Sequence, residues 1–408
     1  MNLKRKVFHT LAATALAAAA CISSAQTVVG GGTPYAAALY GYIITNGGVP
    51  GIWSYTGTGS SAGREAFLQN NPQAVVGGEL RDENTAGRPV WPTSQTVHFA
   101  ASDLVLSAAQ IATYNAAYGA GYGPLIQVPV AAIPVLLPYK ETGITSLNLS
   151  AAQACRIFSF QPSSRTWNQV TTAADDGAGG SVSAIEVAYR TDTNGATESL
   201  SRFLNAACGL YLPAGKSFTV SSNFRTAVAS ALPALTAAQD ANGDGIPDVW
   251  VAATGSGGMT AAVATNHRLG YLTPDSVYTI SAGGLVARID GFLPNAASIQ
   301  AAMPAPPTGI AGSNPLNWVP AYTYSATMYP IYGTTHLLLG QCYVGGMVAG
   351  SAGVAVRQFV AALGGVAYPP PFINMPAPWN AAIGATFLDP FSALAIGNTS
   401  VCNGIGRP

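Results

Sequence analysis

Residues 188–208 read Ala188-Tyr-Arg-Thr-Asp-Thr-Asn-Gly-Ala-Thr-Glu-Ser-Leu-Ser-Arg-Phe-Leu-Asn-Ala-Ala-Cys208, and this stretch decides the fold. Apolar residues lead into Arg190, a polar turn runs through Gly195, and an amphipathic pattern opens near Ala196. The order is strand, turn, helix. The first N–H groups of a helix lack partners inside it and carry partial positive charge, so such a junction accepts an anion. An arginine just upstream adds a fixed charge whose planar fork suits a tetrahedral oxyanion.

Two earlier junctions share this chemistry. Tyr55-Thr-Gly-Thr-Gly-Ser-Ser-Ala-Gly63 precedes Arg64-Glu-Ala-Phe-Leu-Gln69. Its glycines allow a tight turn, and Ser60 or Ser61 is placed to cap the helix or to offer its hydroxyl. Val97-His-Phe-Ala-Ala-Ser-Asp103 reads as an alternating strand ending in a carboxylate. A carboxylate suits an anion site when the anion is itself protonated. HPO4²⁻ can donate a hydrogen bond to Asp103, whereas fully ionised sulfate cannot. Arg190 would hold Asp103 charged.

Strands and helices alternate through the chain: helix over 107–114, strand over 125–137, helix over 150–158 with Ser150 as N-cap, strand over 184–189 and helix over 196–206. This alternation indicates an α/β fold with helices on the faces of the sheet. The chain is long enough for two domains. Asp175-Asp-Gly-Ala-Gly-Gly180 and the Pro/Gly run over 304–315 read as loops, and no internal repeat is present.

Charged residues make up 8% of the chain, with 17 Lys plus Arg against 17 Asp plus Glu, so the net charge is zero. Nucleic acid and anionic membrane surfaces both require a basic surplus and are excluded as partners. Lys4-Arg-Lys6, an apolar run over 7–20 and Ser23-Ser-Ala25 form a cleavable export signal over 1–25, leaving Gln26 first. No later segment spans a membrane, because Pro129, Pro134 and Pro138 interrupt the longest apolar run. Four cysteines follow the signal: Cys155, Cys208, Cys342 and Cys402. An even number in an exported chain indicates disulfides, and the sequence leaves three pairings open.

Together these segments resemble the periplasmic phosphate-binding proteins of phosphate ABC importers, above all their DING subfamily. The resemblance runs from about Gly30 to the C-terminus. Besides the three junctions it rests on Gly30-Gly-Gly-Thr-Pro-Tyr-Ala-Ala-Ala-Leu-Tyr40, Leu125-Ile-Gln-Val-Pro129, Val251-Ala-Ala-Thr-Gly-Ser256 and Ile396-Gly-Asn-Thr-Ser-Val-Cys-Asn-Gly-Ile-Gly-Arg-Pro408. The Asp-Ile-Asn-Gly start of the subfamily is absent; Gln26-Thr-Val-Val-Gly30 stands there.

The resemblance implies a type II periplasmic binding protein fold: two α/β domains, an interdomain cleft and two crossover strands, near 125–137 and 329–339. Domain I would comprise residues 26–125 plus 325–408, and domain II residues 126–324. It also implies the pairings Cys155–Cys208 and Cys342–Cys402. Carried over by position, the ligand set is Ser60, Asp103, Arg190 and Gly195, with Asn194 where the family has serine and Ala196 where it has threonine. The first-loop threonine falls on Pro34. Tyr35 and Ala196 would then give backbone N–H groups, with Thr33 and Thr197 as further contacts. The implied ligand is inorganic phosphate or a related oxyanion, and the implied partner is an ABC permease. The protein is expected to be a monomer that needs no cofactor for binding.

One segment lies outside that resemblance. Asp240-Ala-Asn-Gly-Asp-Gly-Ile-Pro-Asp248 places oxygen donors at positions 1, 3, 5 and 9 with glycine at 6, the front of a Ca²⁺ loop. Asp240, Asn242, Asp244, Asp248 and the Ile246 carbonyl would hold a structural Ca²⁺; Val251 stands where a bidentate glutamate would close the shell. A bare Asn/Asp/Gly turn is the alternative.

Three functions fit the residues: an exported solute-binding protein, an extracellular scaffold or adhesion protein of the same fold with a drifted pocket, and a phosphomonoester hydrolase. Against the hydrolase, His98 lies five residues before Asp103 on one strand and so points to the opposite face. His267 and His336 have no Gly-x-Ser-x-Gly nucleophile nearby, and no paired His or Cys spacing suggests a metal centre. A non-enzymatic role is expected.

Overall fold

The computed structural model describes residues 27–72, 81–82, 96–171, 180–280 and 285–408. The export signal and most of the 175–180 turn lie outside these residues.

Two sheets organise the chain. The larger has seven strands in the order 373–374, 125–134, 332–340, 99–102, 27–32, 52–56, 81–82. The strands Thr27–Gly32, Ile52–Thr56 and Phe99–Ser102 run parallel, and Tyr332–Gly340 lies antiparallel between Phe99–Ser102 and Leu125–Pro134. The smaller sheet holds 139–140, 268–269, 186–190 and 251–253 in that order, the last three parallel. Helices cover both faces, so interior strands are buried throughout. Phe99–Ser102 is buried at all four positions, which is why its sequence alternation does not produce an exposed face.

Leu125–Pro134 is buried at all ten positions and sits between two partners. A proline in a central strand removes a ladder donor. The cost is local: the register with the partner strand shifts between Thr335 and His336, where His336 faces Pro129. Beyond Pro134 the chain stays extended and bridges to the second sheet through Leu136–Leu272 and Pro138–Val286. The return runs beside it, with Val135 N–H donating to the Ile331 carbonyl and the Tyr329 hydroxyl to the Val135 carbonyl. These are the two crossovers between sheets; the strand predicted over 125–137 ends three residues early as the chain leaves the first sheet.

Each sheet has its own apolar core. One gathers Leu137, Phe158, Trp167, Val187, Leu200, Phe203, Phe224 and Tyr271 around the smaller sheet. The other packs Leu39, Trp53, Phe99, Val128, Leu337, Val356 and Phe359 on the larger. Ser107 and Ser150 cap their helices, each in a reciprocal box with a glutamine three residues on. Disulfides join Cys155 to Cys208 and Cys342 to Cys402, the implied pairings. The first ties the middle of helix Ala151–Phe158 to the C-cap of Gly195–Ala207; each contributes about 3–4 kcal/mol by chain entropy.

Candidate functional site

Four helices begin at one place. Pro34–Asn46, Ser60–Leu68, Gly195–Ala207 and Gly255–Val263 start at a cavity of about 280 Å³ lying between the two sheets. The first two belong to the larger sheet and the last two to the smaller. Parallel strands feed these helices, so the cavity lies beyond their carboxyl ends, where open α/β sheets bind ligands. Two close approaches shape it. A Cβ on Gly63 would lie 2.3 Å from the Gly32 Cα, so the Ser60 helix packs directly on the end of strand Thr27–Gly32. A Cβ on Gly195 would lie 2.5 Å from the Asp103 Cβ, so the second lobe touches the first there.

Asp103 follows the last residue of its strand. One carboxylate oxygen, Oδ2, accepts the Thr33 hydroxyl at 2.6 Å, and its backbone N–H donates to Ser60 Oγ at 3.1 Å. The other oxygen, Oδ1, is shielded from solvent and has no hydrogen-bond partner. Burial pushes the Asp103 pKa up, with the hydroxyls of Thr33, Thr335 and Ser60 opposing. Ser60 is therefore not the cap of its helix: Gly59 holds that position at φ 97°, and Ser60 fixes the Asp103 backbone instead.

Arg190 ends strand Glu186–Arg190 and is 9% exposed. Its guanidinium grips Asp192 in a two-point pair, with Nε to Oδ1 at 2.8 Å and Nη2 to Oδ2, while Nη1 reaches Ser256 Oγ at 3.4 Å. Burial raises the Asp192 pKa, but the Arg190 bonds and the Gly255 N–H at 2.9 Å outweigh it, and the carboxyl sits below its usual range. The Tyr271 hydroxyl accepts the Arg190 N–H at 3.1 Å and pairs with Thr197 Oγ1 at 2.8 Å, tying the arginine to the next helix.

Tyr35, Ser60, Asp103, Arg190, Asn194, Gly195, Ala196 and Thr33 all line the cavity. Thr197 does not. It is fully buried, its hydroxyl held between Asn194 Nδ2 and Tyr271. The Asn194 side chain is committed as well: Oδ1 caps the helix by accepting Thr197 N–H at 2.9 Å, and Nδ2 donates to the Asp192 carbonyl and Thr197. It orders the helix start rather than presenting its amide to the cavity. Sequence reading missed Asp192, Tyr271 and Ser256. Asp192 carried a usable signal, an Arg-x-Asp spacing at a strand end; Ser256 and Tyr271 reach the site only through the fold.

The loop over 240–248 closes on itself. Asp240 accepts the N–H groups of Asp244 and Gly245, Asp248 accepts that of Ala241, and Arg225 binds the Asp244 carboxylate at 2.6 Å. Among the described residues no three His, Cys, Asp or Glu gather as a metal-binding group. Ile246 is buried. Among the described residues no histidine lines the cavity. His98 is buried and its Nδ1 accepts the Val29 N–H, His336 is buried beside Thr334, and His267 pairs with Glu141. Burial lowers the pKa of both His98 and His336 to about 3.

The arrangement can hold an anion at converging helix starts against one oriented guanidinium, and offers it a buried acceptor without a donor. Residues 18–361 match the PBP superfamily domain. The chain is 36% identical to "Alkaline phosphatase L" of Pseudomonas aeruginosa, covering 98% of this chain and 99% of that protein. It is 33% identical to a "Phosphate-binding protein" of an unknown prokaryotic organism, over 90% and 95% of the two chains. Among solved structures it is similar to a high-affinity periplasmic phosphate-binding protein, PfluDING, bound with phosphate, at 32% identity and TM-score 0.73, covering 94% of this chain and all of that one. Among the described residues no helix is long and apolar enough to cross a membrane.

Proposed function

This chain belongs to the PBP superfamily, among the phosphate-binding DING proteins, and from that premise we propose that it is an exported solute-binding protein that captures HPO4²⁻, or an oxyanion of the same protonation, in a closing interdomain cleft. The observation that carries this reading is Asp103, whose carboxylate has one oxygen, Oδ1, without a hydrogen-bond partner and which lines one cavity with Arg190. A buried acceptor left without a donor costs stability, and a P–OH group would satisfy it. The remaining anionic oxygens would take Arg190, the Ser60 hydroxyl and the first-turn N–H groups of the four helices. Asp192 would hold the guanidinium fork in place before the ligand arrives.

On this reading residues 26–125 with 325–408 form one lobe and 126–324 the other, with the crossovers as hinge. Export would follow from the leader-like residues 1–25, and a permease would receive the ligand. The name of the Pseudomonas relative raises hydrolysis as a second reading. No histidine reaches the cavity to serve as a general base for Ser60 among the described residues, so the binding reading is the stronger. We extend the proposal to the loop over 240–248, whose oxygen donors would take Ca²⁺ once Arg225 releases Asp244. Calorimetric titration of the purified protein with phosphate, arsenate and sulfate tests the main reading. Phosphate is expected to bind and sulfate to fail; equal binding of both anions would refute the role given to Asp103.

A further inference from the structure

A second, smaller cavity lies behind Asp103, and its charged walls come from opposite lobes. Helix Gly195–Ala207, rooted in the core of the smaller sheet, contributes Glu198, Ser199 and Arg202; Asp103 and Val105 come from the segment just past strand Phe99–Ser102 of the larger sheet. Arg64, on the Ser60 helix of the first lobe, donates from Nη1 to the Val105 carbonyl at 2.8 Å, which brings its head to the same wall. Its Nε is buried and has no partner. Glu198, on another wall of the cavity, is only 14% exposed, and its Oε1 accepts a hydrogen bond from Arg202 Nη2, one helical turn along, at 2.6 Å. Burial lowers the Arg64 pKa, and the field of Glu198 is the strongest influence opposing it. Alongside, a Cβ on Gly333 of the returning crossover would lie 2.1 Å from Ser199 Oγ, so the helix bears directly on the hinge.

We propose that Arg64 and Glu198 form an interlobe latch, a pair of positioning residues that touch no ligand but hold the cleft closed once the anion is bound. This rests on the binding function proposed above. Arg64 brings a half-buried cation whose Nε has no partner, and Glu198 is the carboxylate of the other lobe that acts on it, on the cavity whose wall includes Val105. Their attraction grows as the lobes approach and water leaves the gap. Arg202 competes for the same carboxylate from within one lobe, so it tempers the latch rather than forming it. A ligand that bridges Asp103 and Arg190 brings the two lobes together; the latch then lowers the rate at which they part, and so the rate of ligand loss.

The test is calorimetry with inorganic phosphate on the wild type, Glu198→Gln, Arg64→Met, the double variant, Arg64→Lys and Arg202→Met, each first checked by melting temperature. Glu198→Gln and Arg64→Met should each weaken binding about fivefold, the size of a partly exposed charge pair. The double variant should be no weaker than either single one, because the two changes break one interaction. Arg64→Lys should retain most of the affinity, and Arg202→Met should leave it unchanged or tighter. The differences should shrink in about 0.5 M salt, where the screening length is only a few ångströms. Unchanged affinity in the single variants, or losses that multiply in the double variant, would overturn the latch. A wild type that binds no oxyanion would instead refute the binding function, and the latch would fall with it.

Discussion

Gly195 lies so close to Asp103 that a methyl group on the glycine would stand 2.5 Å from the aspartate Cβ. The contact joins a helix start of one lobe to a strand end of the other, so at this point the cleft tolerates no side chain. Gly195→Ala should therefore hold the lobes apart. We expect phosphate affinity to fall at least tenfold, with an overpacking cost of about 1–3 kcal/mol in denaturant unfolding. Wild-type affinity in this variant would mean that the lobes do not meet there when ligand is bound.

Asp103 gives a prediction whose sign depends on pH. Its folded pKa is raised by burial, so its contribution to stability is fully present below its unfolded pKa and is lost as pH rises through the folded value. Asp103→Asn should stabilise the ligand-free protein at pH 7 to 8 and give no such gain near pH 3, while discrimination of phosphate from sulfate disappears. Melting curves across pH check the first part. Destabilisation at neutral pH would show that the carboxylate is satisfied in a way the structure does not contain.

The buried histidines act in the opposite direction. His98 and His336 are held neutral to about pH 3, and each must take a proton once the chain unfolds in mild acid. Stability from both is present above the unfolded pKa near 6.5 and is lost as pH falls toward 3, by about 1.4 kcal/mol per pH unit for each group. Melting temperature should drop steeply over that window, and His98→Gln should flatten the drop. A flat profile from pH 6.5 to 4 would contradict the burial of these rings.

Much of this was legible beforehand. Strand–turn–helix junctions at Ser60, Asp103 and Gly195 write anion chemistry into local sequence, and proline placement in 125–138 separates a crossover from a membrane helix. What was not legible depends on contacts between distant segments. Thr197 follows Ala196 and so offered a further contact, but this helix packs its Thr197 face inward, toward Tyr271. Asn194 offered an amide on paper and spends it on capping. Ser256 lies 66 positions from Arg190, and no local pattern pairs them. The Asp244–Arg225 pair is of the same kind.

Calcium at the 240–248 loop has a simple check. Millimolar Ca²⁺ should raise the melting temperature by a few degrees, as expected for a site well above its dissociation constant, and excess chelator should reverse the rise. Arg225→Gln, which removes the competing cation from Asp244, should enlarge the effect. No shift in either protein would leave the loop as a metal-free turn closed by Arg225.

The most direct measurement is a crystal structure of the protein grown with phosphate at neutral pH. One phosphate should lie in the cavity, with an oxygen on the Arg190 guanidinium and another within hydrogen-bond distance of Asp103 Oδ1. A cavity holding only water at saturating phosphate, or an anion that meets Arg190 but leaves Asp103 untouched, would contradict the account.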